Sequence, residues 1–406
     1  MKERGLVDFF EQYLEKPALF KNKIILQSNY TPEHITHRDE QIEQIAKILA
    51  PALRGDKPSN VFIYGKTGTG KTLTARYTAQ HLETVARQKK IPLKVIYLNC
   101  KLKKLADTEY RLIAQLLREY GREIPATGLP TDEVYHIFFN TVDKEKQNLI
   151  LILDEIDQLI GKEGDELLYN LTRINSELKN AQITLIGISN DLTFTDTLDP
   201  RVKSSLGEEE IVFPPYNALQ IQQILKERAK LAFAPEALEE GLLEKCAAYA
   251  AREHGDARRA LELLRVAAEL AERENNSQVA IEHLDKAEHK IESDRILESV
   301  TNQPKQYQVA LFSILFACSQ KQGVYTGEIY SLYEQNCTRT GLRPLTQRRI
   351  SDVIAELDML GIINAKVISK GRYGRTREIS ISTNDTITQK IKGILTEELG
   401  LAWNSS

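Results

Sequence analysis

The residues best placed to do chemistry are Gly65-Lys66-Thr67-Gly68-Thr69-Gly70-Lys71-Thr72, which follow directly on the apolar run Val61-Phe62-Ile63-Tyr64. Glycines at this spacing let successive backbone N–H groups turn toward one point with no Cβ in the way, and a helix starting near Lys71 adds the positive end of its dipole. That chemistry is phosphate binding. In such a loop Lys71 reaches the β- and γ-phosphates of a nucleoside triphosphate, and the Thr72 hydroxyl ligates the Mg²⁺ that bridges them. The alternative is a chance glycine turn, and the strand-to-helix setting favours the loop.

A second group sits further along. The run 149–153 ends in Asp154-Glu155, placing two carboxylates at the C-terminal end of a buried strand, where open parallel sheets bind ligands. Beside a phosphate loop, Asp154 is expected to hold the Mg²⁺ shell and Glu155 to orient and polarise the attacking water. Taken alone, the pair is commonly a helix N-cap. Asn190 ends the next apolar strand and is a candidate for placing that water, with a turn-forming Asn as the alternative. Arg201, in Asp199-Pro200-Arg201, either reaches a neighbouring subunit's γ-phosphate or makes a surface salt bridge. Arg258, in Gly255-Asp256-Ala257-Arg258-Arg259, opens a helix and either folds back over the phosphates or belongs to a plain helix start. Tyr30-Thr31-Pro32 with His37-Arg38 is either a wall for the nucleobase or an N-terminal packing segment; the spacing does not choose.

These groups need a scaffold. Apolar runs at 61–64, 95–98, 149–153 and 183–188 alternate with helical stretches at intervals too long for hairpins, which predicts a parallel sheet buried on both faces. Helices are expected at 6–14 and 39–49 before the loop. Two more, 108–120 and 132–142, fill an insert broken at Pro125 and Gly128-Leu129-Pro130. From 217 to about 300 the pattern is wholly helical, and Asn302-Gln303-Pro304 marks a linker. Beyond it come helices near 307–318, 326–337 and 346–360 and two β-runs, 362–368 and 377–381, around a Gly-Arg-Tyr-Gly-Arg tip: a winged helix-turn-helix.

Net charge is −3, so a nucleic-acid reading must rest on a local patch. One exists: from Cys337 to Arg377 there are nine Lys or Arg against three acids. In helix 346–360, Ile350, Val353, Ile354, Leu357 and Leu360 form one apolar face. Arg348 then lies opposite, flanked by Gln347 and Ser351, with Arg349 alongside, as a major-groove helix requires. Lys370, Arg372, Tyr373 and Arg375 would carry the wing toward the minor groove. A solvated basic face, or a winged helix that binds protein, is the alternative.

With 406 residues, 27% charged and 42% hydrophobic, the chain has the composition of a soluble globular protein of two to three domains. The N-terminal residues lack a signal peptide or membrane-span pattern, predicting a cytoplasmic protein. Cys100, Cys246, Cys318 and Cys337 are far apart and read as reduced thiols, not a zinc site.

The order of parts resembles the archaeal origin-recognition and cell-division-cycle type replication initiators of the AAA+ ATPase class. The likeness rests on Tyr30-Thr31-Pro32 with His37-Arg38, the loop 65–72, Asp154-Glu155-Ile156-Asp157, residues 198–205, Phe213-Pro214-Pro215-Tyr216, residues 254–259 and residues 371–375. It implies an α/β AAA+ P-loop parallel sheet domain (1–216), a helical lid (217–303) and a C-terminal winged-helix domain (304–406). It implies that Tyr216 and Arg228 contact ATP or ADP from the lid, that Asn190 and Arg258 sense the nucleotide, that Arg201 acts in trans, and that the insert touches DNA. A weak, switch-like ATPase follows, which binds double-stranded origin DNA in the nucleoid with other copies or paralogues. Its further partner is a replicative helicase of the minichromosome maintenance type. A nucleotide-switched transcription regulator and a clamp-loader-like ATPase are the rival readings.

Overall fold

The computed structural model describes residues 18–101, 109–125, 128–159, 166–194, 198–201, 203, 208–321, 323–369 and 375–403. The chain forms two compact units, Met1–Leu284 and Asp285–Ser406.

Five strands build the sheet of the first unit: β1 (Asn60–Tyr64), β2 (Leu93–Asn99), β3 (Gln147–Asp154), β4 (Ala181–Ser189) and β5 (Glu208–Val212). All pairings are parallel, in the order β2-β3-β4-β1-β5. Because successive side chains point to opposite faces, the continuous apolar runs cover both. Leu149, Leu151 and Leu153 join one core with Phe62 and Leu185, while Ile150 and Ile152 join the other with Val61, Ile63 and Ile186. Strand β5, Glu-Glu-Glu-Ile-Val, was not expected from its composition. It is an edge strand paired only with β1, and charges are tolerated there.

Helices α1 (Asp39–Leu49) and α2 (Lys71–Gln88) cover one face; α3 (Glu109–Glu119) and α4 (Thr131–Val142) of the insert pack on the other through Leu112, Leu116, Val134 and Phe138. A short helix, α5 (Glu166–Arg173), precedes β4. The lid contains α6 (Ala218–Ala232), α7 (Leu242–Arg252) and α8 (Ala257–Arg273), and α9 (Ile281–Thr301) follows. The N-terminal segment is sewn to this lid. Phe20 bridges to Phe233 and stacks on it at 4.9 Å, and Lys23 pairs with Glu269 at 2.8 Å.

The second unit contains α10 (Lys305–Gln320), β6 (Val324–Tyr325), α11 (Thr326–Thr340), α12 (Gln347–Met359), β7 (Ile363–Ser369), β8 (Arg375–Ile381) and α13 (Asp385–Leu399), with an antiparallel sheet ordered β6-β8-β7. The expected linker is only the turn between α9 and α10, with Pro304 as the N-cap of α10. Strand β6 and helix α13 were missed: the first is two residues long, and the second follows the wing with an ordinary amphipathic pattern. The expected helix at 6–14 lies outside the described residues. No helix among those described is long and apolar enough to cross a membrane.

Candidate functional site

Sheet order assembles the first site. Because β4 lies between β1 and β3, the segments leaving the C-terminal ends of β1, β3 and β4 meet, and they carry the glycine loop, Asp154-Glu155 and Asn190. Gly68 and Gly70 have φ of +70° and +88°, where an L side chain is strained. Space forbids one too. A Cβ on Gly70 would lie 2.8 Å from Tyr216 Oη, and one on Gly68 would run into Asp256.

Lys71 is buried, and its ammonium donates to Gly65 O (2.6 Å), Lys66 O (2.7 Å) and Asn190 Oδ1 (2.9 Å). Burial, followed by the positive charge of Arg258, lowers its pKa to about 8, against the pull of Asp154, Asp157 and Asp256. Asn190 thus bridges to Lys71. The Thr72 hydroxyl donates to Asp154 Oδ2 at 2.9 Å, which leaves its oxygen lone pairs for a cation. Tyr97 donates to the same Oδ2 at 2.8 Å, and the Glu155 amide donates to Oδ1 at 3.0 Å. Burial first, then the Asp154 charge, pushes the Tyr97 hydroxyl up to about 12, so it stays a donor. Glu155 adopts φ +54° and faces Lys101 at 3.4 Å. The residue types suit Mg²⁺, which takes hard oxygen donors, one or two carboxylates and phosphate oxygens.

Beside the loop opens a cavity of about 470 Å³, a size suited to a nucleotide. The segment Gln27–Thr36 walls it together with Gly68, Gly70, Thr72 and Arg76 from the sheet side and Tyr216, Arg228 and Arg258 from the lid. Arg228 is 8% exposed, its guanidinium sits 4.5 Å from the Tyr30 ring, and its Nη1 has no hydrogen-bond partner. Burial lowers its pKa. A buried, unsatisfied donor on a cavity wall is a place for a polar ligand atom.

His37 and Arg38 are not among the lining residues. Arg38 is 2% exposed and donates to Thr69 O (2.9 Å), Pro214 O (2.6 Å) and His37 O (3.3 Å), with Tyr216 stacked 3.9 Å away. It is a tie between the loop and the entry to the lid, because backbone carbonyls take up its donors. Arg258 opens α8, where Asp256 accepts from the Arg258 and Arg259 amides. Lys66 Nζ lies 3.4 Å from His254 Nδ1 across the same junction, and Thr69 Oγ1 folds onto Lys66 O at 2.9 Å. Arg201 chelates Asp199 at 3.1 and 3.0 Å with its side chain 81% exposed.

In the second unit, Ile350, Val353, Ile354 and Leu357 of α12 are buried, and Gln347 and Arg348 are exposed opposite them. Leu360, expected on the apolar face, is 40% exposed, because the helix ends at Met359 and the chain turns away. Arg349 points back along the domain to Tyr307 (3.1 Å), Asp352 (3.7 Å) and Glu356 (4.0 Å). Ser351 bonds to Gln347 O, and Arg377 of β8 donates to Ser351 O at 2.6 Å, so part of the basic count is spent inside the domain. Arg375 begins β8; Lys370, Arg372 and Tyr373 lie outside the described residues.

Three family models match the chain: an AAA domain over residues 54–193, a Cdc6 AAA+ ATPase-type lid domain over 222–289, and a CDC6 C-terminal winged helix domain over 298–390. The ORC1-type DNA replication protein 1 of Methanosarcina acetivorans is 52% identical over 394 residues, 96% of this chain and 94% of its own. The chain belongs to the ORC1-type DNA replication protein family. The family's Pyrococcus abyssi member is 53% identical over 378 residues, 92% of this chain and 90% of its own. The Aeropyrum pernix ORC1 protein, solved in complex with DNA, superposes with a TM-score of 0.81 at 43% identity, covering 93% of this chain and 97% of that one. As an ORC1-type chain it therefore has the AAA+ sheet domain, Cdc6-type lid and winged helix that its motifs implied.

Two residues at this ORC1-type site were missed from sequence. Arg76 lines the cavity and stacks over the Tyr97 ring at 4.6 Å. The available signal was position: Arg76 lies one turn beyond Thr72, on the same face of α2.

Proposed function

We propose that the first unit binds ATP with Mg²⁺, and that the winged helix binds origin duplex DNA, from which the protein recruits the replicative helicase. ATP binding and slow hydrolysis act as the switch. The observation that carries this reading is the meeting of Lys71, Thr72, Asp154 and Asn190 beside a cavity walled from both sheet domain and lid.

In this mechanism Lys71 would turn from the Gly65 and Lys66 carbonyls to the phosphates, and Thr72 would present an oxygen lone pair while its hydroxyl donates a hydrogen bond to Asp154. Thr72 and Asp154 would hold Mg²⁺, which would supply positive charge against the phosphates. Glu155 orients water, Asn190 keeps Lys71 aimed, and Arg258 brings a lid charge to the triphosphate. Arg228 and Tyr30 hold the nucleoside end, with Tyr216 against Gly70. The lid angle then reports the nucleotide, because one pocket wall is the segment sewn to the lid. Arg201 is proposed to serve a neighbouring copy after leaving Asp199. On DNA, Gln347 and Arg348 enter the major groove, with Arg372 and Arg375 at the wing; that the relative from Aeropyrum pernix was solved in complex with DNA supports DNA binding as such.

Lys71→Ala should abolish ATP binding with the fold intact; normal affinity refutes the site. Footprinting on the chromosome's own origin repeats, and helicase pull-down with and without ATP, test the remainder. Protection confined to promoters with no helicase captured would replace it with the transcription-regulator reading.

A further inference from the structure

Among the described residues three donors surround the Asp154 carboxylate, and of these only Tyr97 reaches it from another strand. The register of β2 on β3 explains the reach: Asn99 pairs with Asp154, so Tyr97 is the diagonal neighbour on the same face, within range of an aromatic side chain. The Glu155 amide anchors Oδ1 from the adjacent residue, and Thr72 is a single-bond rotor whose proton can swing away. Neither restrains the carboxylate plane as a rigid ring on a neighbouring strand does. The ring is itself pinned. Arg76 lies over it at 4.6 Å, and Arg76 follows Thr72 by four residues on α2, so one helix face carries both the metal-facing hydroxyl and the clamp on the ring.

We propose that Tyr97 is a positioning residue for the Mg²⁺ site: its hydroxyl holds Asp154 in the rotamer that faces the Thr72 oxygen, and Arg76 holds the ring that carries it. This rests on the nucleotide reading above. Outer partners of ligating groups typically alter metal affinity 10–100-fold when removed.

The test uses full-length protein and a fluorescent ATP analogue, titrating Mg²⁺ at fixed nucleotide and nucleotide in EDTA. Tyr97→Phe, which keeps the ring, is expected to raise the Mg²⁺ midpoint about 10-fold while leaving affinity in EDTA within about twofold. In an Asp154→Asn background the same change is expected to add nothing. Arg76→Gln, which frees the ring without removing the hydroxyl, is expected to move the midpoint in the same direction. An unmoved midpoint in Tyr97→Phe overturns the proposal, as does an equal loss in EDTA or an additive effect with Asp154→Asn. A wild-type protein that binds no nucleotide at any Mg²⁺ concentration would end the nucleotide reading and this inference together. Mg²⁺-dependent wild-type binding with an unchanged Tyr97→Phe midpoint ends only this inference.

Discussion

Asp256 occupies the space a side chain on Gly68 would need: a Cβ there would lie 1.7 Å from Asp256 Oδ1. One residue on, the Ala257 amide donates to Gly68 O at 3.2 Å, so the first turn of α8 is docked on the phosphate loop. Gly68→Ala should therefore push the lid off the loop. The positive φ alone costs about 1–2 kcal/mol, and the overlap adds to it. The expected result is a lower Tm and at least tenfold weaker nucleotide binding. Asp256→Ala loses a helix cap, about 1 kcal/mol, but removes the overlap. In the double variant the losses should be less than additive; strict additivity in thermal melts would show that the two residues do not compete for that space.

Arg38→Lys should destabilise the first unit by about 2 kcal/mol, since an ammonium cannot satisfy carbonyls on both the loop and the lid entry and the unpaired ones stay buried. Differential scanning calorimetry would register this as a drop of several degrees. An unchanged Tm would mean that the three bonds from Arg38 are dispensable.

Arg228→Met should separate stability from binding. The guanidinium is buried with one nitrogen unpartnered, so an apolar side chain of similar length should hold or raise the Tm. Nucleotide affinity should fall about tenfold, the loss of one charge-assisted hydrogen bond. A parallel fall in both quantities would count against a ligand-facing role.

On the winged helix, Arg348 and Arg349 are adjacent but differently engaged. Arg348→Ala should weaken duplex binding and lower the slope of log affinity against log salt by about one. Arg349→Ala should change binding less, because its guanidinium already faces Tyr307, Asp352 and Glu356. Fluorescence anisotropy across a salt series distinguishes them; the reverse ranking would place the groove contact on the other side of α12.

Asp143 gives a pH signature. The Ala181 amide above all, with those of Asn180 and Lys179, holds its carboxyl below the ordinary range. A depressed folded-state pKa gives stability that is present above the ordinary carboxylate pKa, near 4, and lost as pH falls through the folded value. The residue is only half-buried, so the contribution is about 1 kcal/mol at most. Asp143→Asn should lower the Tm at pH 7 and match wild type near pH 2; a constant gap would assign the effect to the side chain's shape.

The glycine loop, the Asp154-Glu155 pair and the basic bias of the C-terminal domain were legible because they are local. A glycine permits a backbone turn wherever it folds, a carboxylate ending an apolar run ends a strand, and charge density is a sum over neighbours in the chain. The same locality carried α1 and the order of sheet, lid and wing. Strand order was not local: only the placement of β4 between β1 and β3 brings Asn190 onto Lys71 and Thr72 onto Asp154. Nor were the partners of long, adaptable side chains, which depend on what the fold brings within reach. Tertiary structure set Arg38 on the Thr69 and Pro214 carbonyls, bound Arg349 and Arg377 inside their own domain, and set Tyr97 on Asp154, since an arginine or tyrosine bonds to whichever acceptor packing leaves beside it.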